Sequence, residues 1–191
     1  KMKSLVIAID GPAGAGKSVQ GQLLSARQGW RWLSAGQLLR DSKDPELLNI
    51  MSTGKLVSSE VTNKLMGDAI KRSHDISHLI LDGYPRDMSQ AKWLIENKTH
   101  HGRDIQLIIV VEVPKSELLK RLAIRGRADD VPEVIDERLR IYRKEMYPIL
   151  SYFTEQNVNI VHIDGVGTVG QVHDRIVEEI EAHNLTVEKS V

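Results

Sequence analysis

The segment from Gly11 to Ser18, GPAGAGKS, constrains the fold of this chain more strongly than any other. It matches the phosphate-loop pattern of a glycine, four residues and then Gly-Lys-Ser or Gly-Lys-Thr. The apolar run Leu5–Ile9 before it predicts a buried strand, and residues 19–27 after it can continue as a helix. Strand, glycine-rich turn and helix together aim backbone N–H groups and the positive end of a helix at an anion. The segment therefore predicts phosphate binding, with Lys17 near the outer phosphates and the Ser18 hydroxyl near Mg2+.

Short apolar segments alternate with helical patterns along the rest of the chain. We predict strands over residues 5–9, 30–33, 78–81, 105–113 and 158–163, the fourth being dense in β-branched residues. This alternation favours a parallel sheet covered by helices on both faces, an α/β fold. The turns after the first three strands should then share the sheet edge where ligands bind in such folds.

Local signals add three further expectations. Ser34 can cap the helix that follows it. The long helix predicted over residues 132–153 contains Pro148, which should kink or break it. His100 and His101 are expected in a loop, and the seven histidines show no metal-ligand spacing.

Charge and composition exclude several classes of protein. The 26 lysines and arginines balance 26 aspartates and glutamates, so no global basic field indicates nucleic-acid binding. Cysteine is absent, which excludes disulfides and cysteine metal sites. No apolar run approaches the length of a membrane span. We therefore expect a cytoplasmic protein without a membrane or nucleic-acid partner.

Four further segments carry a recognisable combination of motifs: LSAGQLLR at 33–40, GKLV at 54–57, LDGYPR at 81–86 followed by Gln90, and RLAIRGRADD at 121–130 followed by Arg138. With the phosphate loop they resemble the adenylate kinase and UMP/CMP kinase family of nucleoside monophosphate kinases. The resemblance implies a three-layer P-loop NTPase fold with a five-stranded parallel sheet. It implies one domain over residues 1–191, with a small insert for the monophosphate at 34–72, a short lid at 125–131, and a monomeric state.

The resemblance also implies a reaction, the reversible Mg2+-dependent transfer of a phosphoryl group from ATP to a nucleoside monophosphate. The residues implied as catalytic are Lys17, Arg86, Arg125, Arg127 and Arg138. Those implied in ATP binding are Gly11, Ala13, Gly14, Ala15, Gly16, Lys17, Ser18, Val19, Arg125 and Val166. Those implied in monophosphate binding are Ser34, Ala35, Arg40, Leu56, Val57, Gly83, Arg86, Gln90, Arg127 and Arg138. Mg2+ would be held by Ser18 and, through water, by Asp82.

The same residue types suit this chemistry without the resemblance. Phosphoryl transfer needs positioning and charge neutralisation rather than a covalent nucleophile, and planar guanidinium groups bind phosphates in a bidentate manner. Single helix arginines are otherwise mostly solvated, and this is the role predicted for Arg121, Arg140 and Arg143. The three tryptophans are predicted packing residues. Asp10 is either a turn residue or a partner behind the metal ligands.

The acceptor nucleotide has two readings. Gln90 favours AMP, because an amide at this place in AMP-using members pairs with adenine. Ala35 replaces a threonine usual in AMP-specific members, and residues 9–18 resemble the loop of bacterial cytidylate kinases, so UMP or CMP is the alternative. A different function is also open: Val19, Ala35 and Gln37 permit a module that binds nucleotide without turnover. Arg40 and Arg86 argue against it, so we predict transfer from ATP to AMP, giving two ADP.

Overall fold

The computed structural model describes residues 5–185 and contains one five-stranded parallel sheet with the strand order β2-β3-β1-β4-β5. The strands are β1 (Leu5–Asp10), β2 (Arg31–Ser34), β3 (His78–Asp82), β4 (Asp104–Glu112) and β5 (Asn159–Asp164). All four pairings are parallel. The predicted α/β fold with a five-stranded parallel sheet is therefore confirmed.

Helices join the strands and cover the sheet. They are α1 (Lys17–Gln28), α2 (Ala35–Asp41), α3 (Pro45–Ser52), α4 (Ser59–Arg72), α5 (Met88–Glu96), α6 (Lys98–His101), α7 (Lys115–Arg125), α8 (Pro132–Glu155) and α9 (Val169–Ala182). In residues 5–185, no helix combines the length and the apolar character that a membrane crossing needs.

Two hydrophobic clusters form because successive strand side chains point to opposite sheet faces. Ile7 and Ile9 of β1 belong to the cluster that also contains α1, α7 and α9 residues. Ala8, between them, belongs to the cluster that contains α4 and α5 residues. Helix α8 contributes to both clusters. The sheet is thus covered on both faces, and all five residues of β3 are buried.

The segment between β2 and β3 folds as three helices that begin at side-chain caps. The Ser34 hydroxyl accepts a hydrogen bond from the backbone N–H of Gln37, as the sequence predicted. Asp44 and Ser58 cap α3 and α4 in the same way. Each cap satisfies N–H groups that a helix start would otherwise leave without a partner.

Of the kink or break expected at Pro148, the break was wrong and the kink stays a prediction. Helix α8 continues to Glu155, because Met146, Ile149 and Phe153 bury their side chains in the core on both sides of the proline. Burial outweighs the single backbone hydrogen bond that proline removes. His100 and His101 lie in the short helix α6 instead of a loop, and four residues are too few for a periodic signal.

The carboxyl ends of three neighbouring strands meet at one edge. Ser34 at the end of β2 is in register with Asp82 at the end of β3, and Ile9 of β1 is in register with the same Asp82. The phosphate loop therefore lies beside the turns after β2 and β3, as predicted from the alternation of elements.

Candidate active site

A cavity of about 530 Å³ lies at this edge of the sheet. Its lining carries seven cationic side chains and three carboxylates. The cations are Lys17, Arg40, Arg86, Arg121, Arg125, Arg127 and Arg138, and the carboxylates are Asp10, Asp82 and Glu117. Such an excess of positive charge in a concave site is suited to a ligand with several negative charges.

The phosphate loop forms one wall of the cavity. Gly16 caps α1 with a left-handed backbone (φ 93°), a conformation that glycine adopts without strain, and within residues 5–185 no side chain makes a capping hydrogen bond to this helix start. Lys17 Nζ donates to the carbonyl oxygens of Gly11 at 2.8 Å and Pro12 at 3.0 Å. Burial lowers the pKa of Lys17 to about 8, against the opposing effect of Asp82. The Lys17 side chain thus lies across a loop whose backbone N–H groups can donate hydrogen bonds to an anion.

Ser18 and Asp82 meet beside the loop. The Ser18 hydroxyl donates to Asp82 Oδ2 at 2.7 Å, although 64 residues separate the two in sequence. Trp32 Nε1 donates to the same oxygen at 3.0 Å. Residues 5–185 contain no group of three or more histidines and carboxylates that could hold a metal ion. One hydroxyl and one carboxylate suit Mg2+, which prefers oxygen ligands and keeps several of its own waters.

Arg86 and Arg40 line the cavity beside the turns after β3 and β2. Arg86 Nε donates to the carbonyl of Gly83 at 2.8 Å, which leaves its terminal nitrogens for a ligand. The backbone N–H of Arg86 donates to Gln90 Oε1 at 2.7 Å. Burial lowers the pKa of Arg40, and the nearby charge of Arg127 lowers it further. The guanidinium groups of Arg86 and Arg127 are close enough to that of Arg40 to repel it, so an anion bound between them would relieve the repulsion.

Three further arginines line the cavity: Arg125 at the end of α7, Arg127 in the loop that follows, and Arg138 on α8. Arg125 Nε donates to Asp130 Oδ2 at 2.8 Å, and Arg138 pairs with Asp129 and, at 3.5 Å, with Asp130. The Asp130 side chain is only 1% exposed. Its hydrogen bonds from arginines keep its pKa below the ordinary value although burial acts in the other direction. Asp129 and Asp130 thus bind arginines.

The cavity extends to the turn after β5, where Val166 was the only site residue predicted from the sequence. Gly165, Gly167, Thr168, Val169 and Val172 line this end. Arg121, predicted as a surface charge, lines it too and donates to the carbonyl of Gly165 at 2.8 Å. The Gly-Val-Gly-Thr sequence at the carboxyl end of a predicted strand was the available signal, since ligands collect at such ends.

Five of the predicted site residues do not line the cavity: Ala35, Val57, Gly83, Gln90 and Val166. The side chains of Ala35, Val57 and Gln90 are packed in the interior, with Gln90 only 2% exposed. The side-chain oxygen of Gln90 accepts the backbone N–H of Arg86, so this glutamine supports the turn that carries Arg86. The other predicted site residues, apart from these five, line the cavity.

Asp10 is the last residue of β1 and is 4% exposed, so it is not a solvated turn residue. Its Oδ1 accepts the backbone N–H of Gly11 at 2.8 Å. Burial raises its pKa to about 6, against the opposing charges of Lys17 and Arg86. A carboxylate thus lies on the floor of an otherwise cationic cavity.

Comparison with known proteins gives consistent results. The sequence model of the family described as Adenylate kinase matches residues 9–158. An adenylate kinase of Mycolicibacterium paratuberculosis is 38% identical over 175 residues, covering 88% of this chain and 95% of that protein. The adenylate kinase of Mycobacterium marinum is 36% identical over 180 residues, covering 91% and 98%. That of Mycobacterium tuberculosis is 36% identical over 176 residues, covering 89% and 96%.

Proposed function

We propose, because this chain belongs to the adenylate kinase family and is a phosphotransferase, that it transfers a phosphoryl group reversibly from ATP to AMP with Mg2+, giving two ADP. One observation carries the proposal. A single cavity is lined by the phosphate loop with Lys17, by Arg40 and Arg86, and by Arg125, Arg127 and Arg138. A protein that only binds ATP has no use for two further groups of arginines facing the loop.

The donor side of the cavity is the phosphate loop and the turn after β5. We assign the triphosphate to the loop N–H groups and Lys17, whose present partners are two carbonyl oxygens that a phosphate would replace. The base and ribose of ATP would then lie toward residues 165–169 and Arg121. Val169 and Val172 supply apolar surface there, and the guanidinium of Arg121 is fixed by Gly165 and Glu117.

We assign the acceptor phosphate to Arg40 and Arg86. Arg40 lies on α2, the helix that follows β2, and Arg86 lies in the turn that follows β3. The base would lie toward residues 34–72, where Ser34, Gly36, Met51 and Leu56 line the cavity. We infer that this segment is the insert that binds the monophosphate.

In the reaction, an oxygen of the acceptor phosphate forms a bond to the γ-phosphorus of ATP while the bond from that phosphorus to the β–γ bridging oxygen breaks. No protein atom becomes covalently bound. The protein holds the two phosphates in line and neutralises the charge that develops between them. Lys17, Arg86 and the three arginines of the proposed lid (125–131 with Arg138) supply that charge.

Ser18 and Asp82 are the residues that would hold Mg2+. When bound, the ion neutralises charge on the β- and γ-phosphates of ATP. The Ser18 hydroxyl donates its hydrogen bond to Asp82, which leaves the lone pairs of the Ser18 oxygen for a cation. Asp82 is buried at 3% exposure and would act through ordered water.

All residues assigned to both nucleotides belong to one chain, so the proposal needs no second subunit. Arg125 and Arg138 are paired with Asp130 and Asp129 of the same chain. We therefore expect an active monomer.

The test is an acceptor panel. Purified protein is given ATP and Mg2+ with AMP, UMP, CMP, dCMP or GMP separately, and the diphosphates are measured. We expect the highest kcat/KM with AMP. A higher value with UMP or CMP would favour the alternative acceptor, and no product with any acceptor would favour a binding module.

Two variants sharpen this test. Arg86→Ala should lower kcat with AMP by about a hundredfold to a thousandfold, as the loss of one charge-stabilising donor does elsewhere. Arg140→Ala is the matched control, because Arg140 is exposed and pairs with Glu137 outside the cavity. The control should retain the wild-type rate.

A further inference from the structure

The indole of Trp32 makes a hydrogen bond that has no direct part in phosphate binding. Its Nε1–H donates to Asp82 Oδ2 at 3.0 Å, and Ser18 donates to the same oxygen at 2.7 Å. Both donors reach Asp82 from elements distant in sequence. Among the described residues, Oδ2 is the Asp82 oxygen that is fixed from the protein side, and Oδ1 remains for the cavity that Asp82 lines.

We propose that Trp32 is a positioning residue for the Mg2+ site, fixing the Asp82 carboxylate so that its second oxygen faces the water shell of the metal. This inference rests on the proposed metal role of Ser18 and Asp82. It adds a residue that contacts neither nucleotide nor metal and acts through the carboxylate.

The chemistry of the donor supports the assignment. An indole N–H donates a hydrogen bond and never accepts one. At Asp82 Oδ2 it therefore acts only as a donor, and it holds this oxygen on the protein side of the carboxyl group. The Ser18 hydroxyl is also a donor here, but its oxygen is needed by the metal. Trp32 is the partner of Asp82 whose geometry need not change when the metal binds.

The packing around the indole is adapted to this contact. A Cβ atom on Gly21 of α1 would lie 2.5 Å from Trp32 Cδ1 and 2.9 Å from Trp32 Nε1. Only glycine at this position lets the ring lie against the helix backbone. Trp32 of β2 is in register with Ile80 of β3, so the indole reaches two residues along the neighbouring strand to Asp82. The position of the ring is set by α1, β2 and β3 together.

The experiment measures Mg2+ affinity directly in the full-length protein. Mg2+ is titrated by calorimetry into protein saturated with a non-hydrolysable ATP analogue, for wild type, Trp32→Phe, Asp82→Asn and the double variant. Trp32→Phe keeps an aromatic ring and removes the donor. Trp30→Phe is the matched control, because Trp30 stacks on His78 with ring centroids 4.8 Å apart and does not contact Asp82.

We expect Trp32→Phe to raise the Mg2+ dissociation constant about tenfold, the scale for partners of metal-ordering residues. The affinity for the analogue without metal should not change, whereas a general loss of structure would weaken that affinity too. In the double variant, Trp32→Phe should add nothing to the effect of Asp82→Asn. Trp30→Phe should bind Mg2+ as wild type does.

Wild-type Mg2+ affinity in Trp32→Phe, with weakened affinity in Asp82→Asn, would overturn this inference and leave the proposed function intact. Unchanged affinity in both would overturn the metal role of Asp82 and the inference with it. If Trp32→Phe does not fold, a protein with Trp32 as its one tryptophan (Trp30→Phe, Trp93→Phe) replaces it. Its fluorescence should respond to Mg2+ with the analogue when residue 82 is Asp and not when it is Asn, and an equal response in both would contradict the inference.

Discussion

The buried carboxylate of Asp10 should destabilise the unliganded protein at neutral and alkaline pH, and Asp10→Asn should relieve this. The side chain is 4% exposed, and burial raises its pKa from 3.8 to about 6 despite the nearby charges of Lys17 and Arg86. Asparagine has nearly the same shape, and its Oδ1 can still accept the Gly11 N–H. The substitution therefore removes the charge and keeps the contact.

The pKa difference sets the magnitude. A shift of about 2 units corresponds to about 3 kcal/mol in the free energy of unfolding. Because the folded-state pKa is the higher one, ionisation of Asp10 costs stability above pH 6, and this cost disappears as the pH falls toward 3.8. Asp10→Asn should thus be more stable than wild type by about 3 kcal/mol at pH 8 and by about half of that at pH 5.

Urea denaturation at pH 8 and pH 5, followed by circular dichroism, measures both differences. Asp68→Asn is the matched control, since Asp68 is an exposed carboxylate on α4, and it should change little at either pH. If Asp10→Asn were less stable than wild type at pH 8, or if its advantage did not shrink at pH 5, the attraction of Lys17 and Arg86 would outweigh burial. The electrostatic reasoning for the cavity floor would then be refuted.

Three further predictions concern the cavity walls. Burial lowers the pKa of Lys17 to about 8, and bound phosphates would raise it, so Lys17 should take up about half a proton when ATP binds at pH 8. Calorimetry in buffers of different ionisation enthalpy detects this uptake, and zero uptake would contradict the prediction. Gly54→Ala should lower kcat severalfold and stability by about 1 kcal/mol, since a Cβ there would lie 3.0 Å from Val134 at a φ of +78°; wild-type kinetics and melting would argue against the contact. Asp130→Asn should raise KM for ATP about tenfold by releasing Arg125 from a charged partner, and an unchanged KM would show that the arginine is held by other means.

The sheet was predictable because its signals are local. Each strand is an apolar run bounded by turn residues, and the phosphate loop specifies both the strand before it and the helix after it. The edge shared by the first three turns followed from parallel alternation alone. The arginines could be assigned only through resemblance, since single helix arginines carry no signal of their own.

The remaining features depend on contacts between distant residues. Trp32 was predicted to pack, and its bond to Asp82 appears only when β2 and β3 are neighbours in the sheet. Arg121 was predicted to be solvated, and it reaches a turn 44 residues further along the chain. Pro148 was predicted to kink or break a helix, and core burial keeps this helix continuous. In each case tertiary packing decided an outcome that the local sequence left open.

Phosphorus NMR of the reaction, started either from ATP with AMP or from ADP, shows whether one cavity holds both nucleotides for direct transfer. ATP with AMP and Mg2+ should yield ADP without inorganic phosphate, and ADP alone with Mg2+ should yield ATP and AMP at the same final ratio. Arg86→Ala should reach that ratio about a hundredfold more slowly or worse. Consumption of ATP to ADP and inorganic phosphate, with AMP unchanged, would contradict the account.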